Sequence, residues 1–157
     1  MAKRARQLVG VGIIAVTVLV CVAPALSAAS PSALKLSPPL IHERFTPLPC
    51  TGKPSDRDTL QQEGCAEHSV LTTDAQINAL ARSIFSALRD NPARKRFVAA
   101  QDAWIAYRRA DCLSASDVFE GGTEAPVLNA QCSAGHNRQR IKDLRAFLNG
   151  LRPGARG

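Results

Sequence analysis

The chain has 157 residues, 45% of them apolar and 21% charged, with a formal net charge of +7. That length allows one domain, and that balance excludes a disordered or collagen-like chain. Aromatic residues make up only 4%, with a single Trp, so the core has to be built mainly from aliphatic side chains.

Lys3, Arg4 and Arg6 precede an uncharged apolar run from Leu8 to Ala23, and a small-residue stretch from Pro24 to Ser30 follows it. This is the layout of a secretory signal peptide, expected over residues 1–29 with cleavage after Ser27 or Ala29. The apolar run is short for a span of about 20 residues, so an uncleaved anchor is the lesser reading. Lipidation of Cys21 is a third reading, disfavoured because Val20 stands where a small residue is wanted. Membrane attachment is therefore expected only through an uncleaved signal or a lipidated Cys21. The location expected is secreted or extracytoplasmic, in a bacterial envelope. With the three leader cations removed the charge falls to +4. So modest a charge does not imply a nucleic-acid partner, and none is expected.

Residues 30–54 hold six prolines, a density that neither a helix nor a central strand tolerates. Residues 30–49 therefore read as a linker or extended arm ahead of a domain over 50–150, with 151–157 as a flexible tail. Thr59–Glu67 reads as a short helical turn. The first clear helix begins at Thr73, which forms a capping box with Gln76. Its apolar face is Ile77, Leu80, Ala81, Ile84, Phe85 and Leu88. Asp90-Asn91-Pro92 ends it, and Asn91 is placed to cap a second helix with Pro92 at its first position.

That second helix runs from Pro92 to Cys112 with Phe97, Ala100, Gln101, Trp104, Ile105 and Arg108 on one face. Gln101 and Arg108 interrupt an apolar stripe, and polar groups buried there need partners. A loop from Leu113 to Thr123 contains Gly121-Gly122, which signals a positive φ or a close backbone approach. A third helix covers Ala125–Asn149, with Val127, Leu128, Ala134, Ile141, Leu144 and Leu148 inward and Gly135 as a potential break. Gly150 and Pro153 stop it. No alternating pattern of useful length is present. The fold class expected is all-α, about three helices with short loops, stapled by two disulfides.

The disulfide expectation follows from export. Cys50, Cys65, Cys112 and Cys132 are an even set in a small exported domain. Three connectivities are open, and pairing of sequence neighbours is the simplest; each such loop stabilises by about 3 kcal/mol in the chain-entropy model. Zinc is set aside because there is no C-x2-C pair and the histidines read as standing away from ligand spacing to a cysteine. No metal and no cofactor are expected. A free catalytic thiol does not suit an oxidising compartment.

Catalytic motifs are missing: there is no G-x-S-x-G, H-E-x-x-H, P-loop or G-x-G-x-x-G. His42, His68 and His136 are scattered over segments read as loops or exposed edges, with no nucleophile beside them. Glu63 and Glu67 read as solvent-facing, and the run Arg89, Arg94, Lys95, Arg96 as a solvated helix start. The protein is therefore expected not to be an enzyme.

From Ala100 to Cys112 the chain reads A-Q-x-x-W-x-x-Y-R-x-x-x-C, followed by Gly121-Gly122, Cys132 and a basic amphipathic helix over Arg138–Leu148. With Cys50…Cys65-Ala66-Glu67 and Asp74–Asn78 upstream, this resembles the LprI-like lysozyme-inhibitor family over about residues 45–150. One element departs from the family pattern: Asn137-Arg138-Gln139-Arg140 stands where Thr-x-x-Arg is often found. The resemblance implies a small helical, disulfide-bonded envelope domain, and for some members binding and inhibition of lysozyme. The function it points to is non-enzymatic binding of a protein partner, lysozyme first, protecting cell-wall glycan. The alternative is an envelope interaction or structural module without lysozyme inhibition, with an envelope polymer as a further partner.

Of the signature residues, Gln101, Trp104, Tyr107, Arg108, Gly121 and Gly122 read as structural. Trp104 is expected in the core, with Gln101 and Arg108 tying neighbouring helix ends or the glycine loop. The rival reading is an exposed Trp/Tyr/Arg hot spot. The binding surface is expected in the Leu113–Thr123 loop, with Asp117, Glu120 and the nearby Glu124 as its acidic groups.

Overall fold

The computed structural model describes residues 36–45 and 48–152. The leader expected over residues 1–29, with Cys21, lies outside the described residues. Three helices carry the fold: α1 (Thr59–Ala87), α2 (Asn91–Ser116) and α3 (Glu124–Gly150). Single 3-10 turns sit at Pro54–Asp56 and Asp117–Phe119. No strand occurs among the described residues, and no helix there is long and apolar enough to cross a membrane. α3 is the shared element, packing against both α1 and α2.

α1 begins fourteen residues before the Thr73 start inferred from sequence, and absorbs the short turn at Thr59–Glu67. Asp58 caps it, its Oδ1 accepting from the Gln61 amide at 2.8 Å. Thr73 caps nothing. Its hydroxyl is turned back along the helix, donating to the carbonyls of Ser69 (2.7 Å) and Val70 (3.0 Å), so the helix must already exist upstream of it. Gly64, which lowers helix propensity, is tolerated because the arm crosses there. A Cβ at position 64 would stand 2.6 Å from the Pro49 carbonyl oxygen.

Asp90, not Asn91, caps α2, with Oδ1 accepting from the Ala93 amide at 2.6 Å. Its backbone is extended (φ −121°, ψ 156°), the conformation a capping residue needs, whereas Asn91 is already helical. α2 continues past Cys112 to Ser116, and α3 passes through Gly135 without a break.

The main core gathers Ile77, Ala81, Ile84, Leu88, Phe97, Ile141 and Leu144 with Ile41 from the arm. A second cluster, Ala66, Val70, Ala130 and Ala134, is covered by Phe45 from the same arm. Each large aliphatic side chain buried there contributes about 1.5–3 kcal/mol. The described residues of the arm make no helix or strand, so their backbone needs other partners. Asn78 supplies them at Ile41: Nδ2 donates to the carbonyl (2.9 Å) and Oδ1 accepts from the amide (2.8 Å).

Sequence neighbours form the two disulfides. Cys50–Cys65 fastens the end of the arm to α1, and Cys112–Cys132 fastens α2 to α3.

Candidate functional site

Arg108 is the largest fully buried side chain, 1% exposed. Its Nη1 donates to Asp74 Oδ1 at 2.7 Å and to Asn137 Oδ1 at 2.6 Å, and its Nη2 donates to the Glu43 carboxylate. Asn137 Nδ2 in turn donates to Asp74 Oδ1 and to Thr73 Oγ1, both at 2.8 Å. One group thus comes from the arm, two from α1 and one each from α2 and α3. The planar guanidinium suits this task because its donors diverge in fixed directions. Burial pushes the Asp74 carboxyl above its usual range, more than the hydrogen bond and charge of Arg108 pull it down; the Glu43 charge adds to the rise.

A second polar link joins α2 and α3. Gln101, fully buried, accepts at Oε1 from Arg140 Nε (3.0 Å) and Nη2 (2.8 Å). Partial burial lowers the Arg140 pKa from its ordinary value. The guanidinium carbons of Arg108 and Arg140 each lie 5.4 Å from the Trp104 ring centroid. Trp104 is half-buried against the main core, not sealed within it. Sequence reasoning tied Arg108 and Gln101 to helix ends or the glycine loop. Their partners are instead the arm, the middle of α1 and the body of α3. Several atoms here, Asp74 Oδ2, Gln101 Nε2 and Arg108 Nε, have no hydrogen-bond partner among the described residues, and each such group costs about 1–3 kcal/mol. At 1% exposure, Arg108 is out of reach of a protein partner.

Tyr107 points the other way, 56% exposed, with its ring edge-on to His136 at a centroid distance of 5.4 Å. His136 lies within α3, not on a loop, and its Nε2 stands 2.7 Å from Asp111 Oδ2. The donor atoms of Asp111, Cys112, Cys132 and His136 all lie within 4.8 Å of one another. The sequence reading that no histidine stands at ligand spacing from a cysteine overlooked Cys132 and His136, which are four apart and so share a helix face.

The loop between α2 and α3 is short and turned tightly. The Glu120 amide donates to the Asp117 carbonyl (3.1 Å) and the Gly122 amide to the Phe119 carbonyl (2.8 Å). Gly121 takes φ +77°, open to glycine without strain. Asp117 and Glu120 are exposed, and between them Val118 and Phe119 are 80% and 47% exposed, with Leu113 beside them at 60%. Sequence reasoning singled out the acids and passed over this apolar tip; the signal available was a Val-Phe pair inside a loop. Glu124 opens α3, and its Oε1 accepts from Thr59 Oγ1 at 3.4 Å. The loop root is held by Cys112–Cys132 and by the Ser116 hydroxyl donating to the Leu113 carbonyl (2.8 Å).

A family model described as "Lysozyme inhibitor LprI" matches residues 50–144, more than half of the chain. The chain belongs to the LprI family. No curated protein and no solved structure gives a significant match. The matched span contains both disulfides and four members of the polar centre of this LprI-family protein, Thr73, Asp74, Arg108 and Asn137. Ile41 and Glu43, which complete the core and that centre from the arm, lie ahead of it.

Proposed function

We propose that this protein is an extracytoplasmic, non-enzymatic binding domain that inhibits lysozyme through the loop between α2 and α3, sparing cell-wall glycan. Membership of the LprI family supports the partner, and the two disulfides suit an oxidising compartment. The observation that carries the choice of surface is the loop tip, where exposed Val118 and Phe119 stand between the carboxylates of Asp117 and Glu120. Apolar groups ringed by charge, on a loop pinned at its root, lose little freedom on binding. The carboxylates offer complementarity to a basic enzyme surface even though the chain as a whole is positive.

The test is lysis of a peptidoglycan suspension by lysozyme, with and without the oxidised protein. Dose-dependent protection is expected. Asp117→Lys with Glu120→Lys, or Val118→Asp alone, is expected to lower the inhibition at least tenfold while leaving the thermal midpoint unchanged. Absence of protection at large molar excess against several lysozyme types would move the assignment to an envelope interaction module.

A further inference from the structure

We infer that the groove between the first turns of α2 and the second half of α3 binds one fatty-acid carboxylate, the acyl chain on its apolar floor and the head group on Arg140 and Arg96. The groove encloses about 480 Å³, inside the range of about 300–1,000 Å³ common for small-molecule sites. Leu88, Phe97, Leu144 and Phe147 supply its apolar surface, and Phe147 remains 43% exposed. The two helices run antiparallel here. Gln101 meets Arg140, and the Phe97 and Phe147 ring centroids lie 6.1 Å apart. Arg140 thus stands at the end nearer the helix middles, and Leu88, at the junction of α1 and α2, stands at the other. A cationic end joined to an apolar length is the complement of a carboxylate on a hydrocarbon chain.

Charge selects the head group. Three charged residues line the groove, Arg140 and Asp143 from α3 and Arg96 from α2. None of them is in an ion pair among the described residues. Arg140 is half-buried, yet its Nε and Nη2 donate only to the neutral amide oxygen of Gln101, which leaves Nη1 unused. Burial lowers its pKa, and the Asp143 charge offsets only part of that. Two arginines against one aspartate leave one positive charge over, which a monoanion balances. A carboxylate also matches the guanidinium fork. A phosphate monoester would bring a second negative charge against Asp143. A peptide end would bring amide groups that need partners, and the floor offers none; an acyl chain needs none.

The test is isothermal titration of the oxidised protein with dodecanoate below its micelle concentration. One dodecanoate per chain is expected, and each methylene removed from the acid should weaken binding about fourfold. Dodecyltrimethylammonium, with the same tail and the opposite charge, is expected not to compete. Arg96→Gln with Arg140→Gln is expected to weaken binding about 10–100-fold. Ala100→Trp, at an exposed helical position of the lining, fills the groove and is expected to weaken it by a similar factor. Asp143→Asn removes the like charge and should tighten binding about two- to fivefold, a gain that a damaged fold cannot give. Val118→Asp, on the α2–α3 loop, should bind as the parent does, so the groove is read independently of lysozyme inhibition. No uptake of dodecanoate overturns the proposal, as does equal uptake of the cationic amphiphile, or an affinity that neither Ala100→Trp nor Asp143→Asn changes. A dimer in sedimentation that Ala100→Trp breaks apart, without uptake of dodecanoate, would give the groove to a second copy and overturn it as well.

Discussion

Burying the guanidinium of Arg108 costs several kcal/mol before any partner is counted, and Asp74, Glu43 and Asn137 together offset that cost. Removing the cation leaves Asp74 as an uncompensated buried carboxylate. Arg108→Leu is therefore expected to destabilise the protein by about 3–5 kcal/mol, read as a lower denaturant midpoint. Glu67 shows the opposite balance. Burial, reinforced by the Glu63 charge, raises its pKa against a smaller pull from His68, and its Oε2 has no hydrogen-bond partner among the described residues. A raised carboxyl pKa contributes stability below the unfolded value of about 4.3, and that contribution is lost as pH rises through the folded value. Glu67→Gln is accordingly expected to raise the thermal midpoint at pH 7, with the gain vanishing below about pH 4. The need for partners at Gln101 and Arg108 was legible, because two polar residues in an apolar stripe cannot be left bare. The partners of Arg108 were not, since they lie 29 to 65 residues away in the chain and no local spacing points to them.

At the scale of elements, α2 and α3 were readable to within a few residues because proline, glycine and a 3.6-residue period agree there. The first half of α1 was not. Thr73 and Gln76 imitate a helix start, and Gly64 argues locally against a helix. Its role appears only when the arm is laid across it. Gly64→Ala separates the two influences. Alanine gains up to about 1 kcal/mol of helix propensity, yet its Cβ would meet backbone of the arm, where overpacking costs about 1–3 kcal/mol. The expected outcome is net destabilisation in thermal melts, with the disulfide Cys50–Cys65 preventing the arm from simply moving away. The prolines identified the arm as extended, but nothing in their pattern placed Ile41 in the core. Asn78→Ala removes both hydrogen bonds to the Ile41 backbone and is expected to cost about 1–3 kcal/mol. Limited proteolysis is expected to cut within residues 36–45 sooner in that variant than in the parent.

For the whole molecule, the two disulfides separate stability from binding. They close loops of 15 and 20 residues, so the chain-entropy model assigns them almost the same stabilisation, about 3 kcal/mol each. Their positions differ. Cys50–Cys65 holds the arm to α1, whereas Cys112 and Cys132 clamp the two helices from which the α2–α3 loop springs. If inhibition rests on a preorganised loop, the paired Cys→Ser variants should melt at similar temperatures and inhibit differently. Well below both melting points, Cys112→Ser with Cys132→Ser is expected to weaken inhibition of lysozyme several-fold, while Cys50→Ser with Cys65→Ser leaves it near the parent's. Equal loss in both would tie inhibition to global stability and take the loop out of the mechanism. Preserved inhibition in both would show that the binding surface needs neither staple, which the exposure of Val118 and Phe119 on a tight turn makes the hardest outcome to reconcile with a loop held ready for its partner.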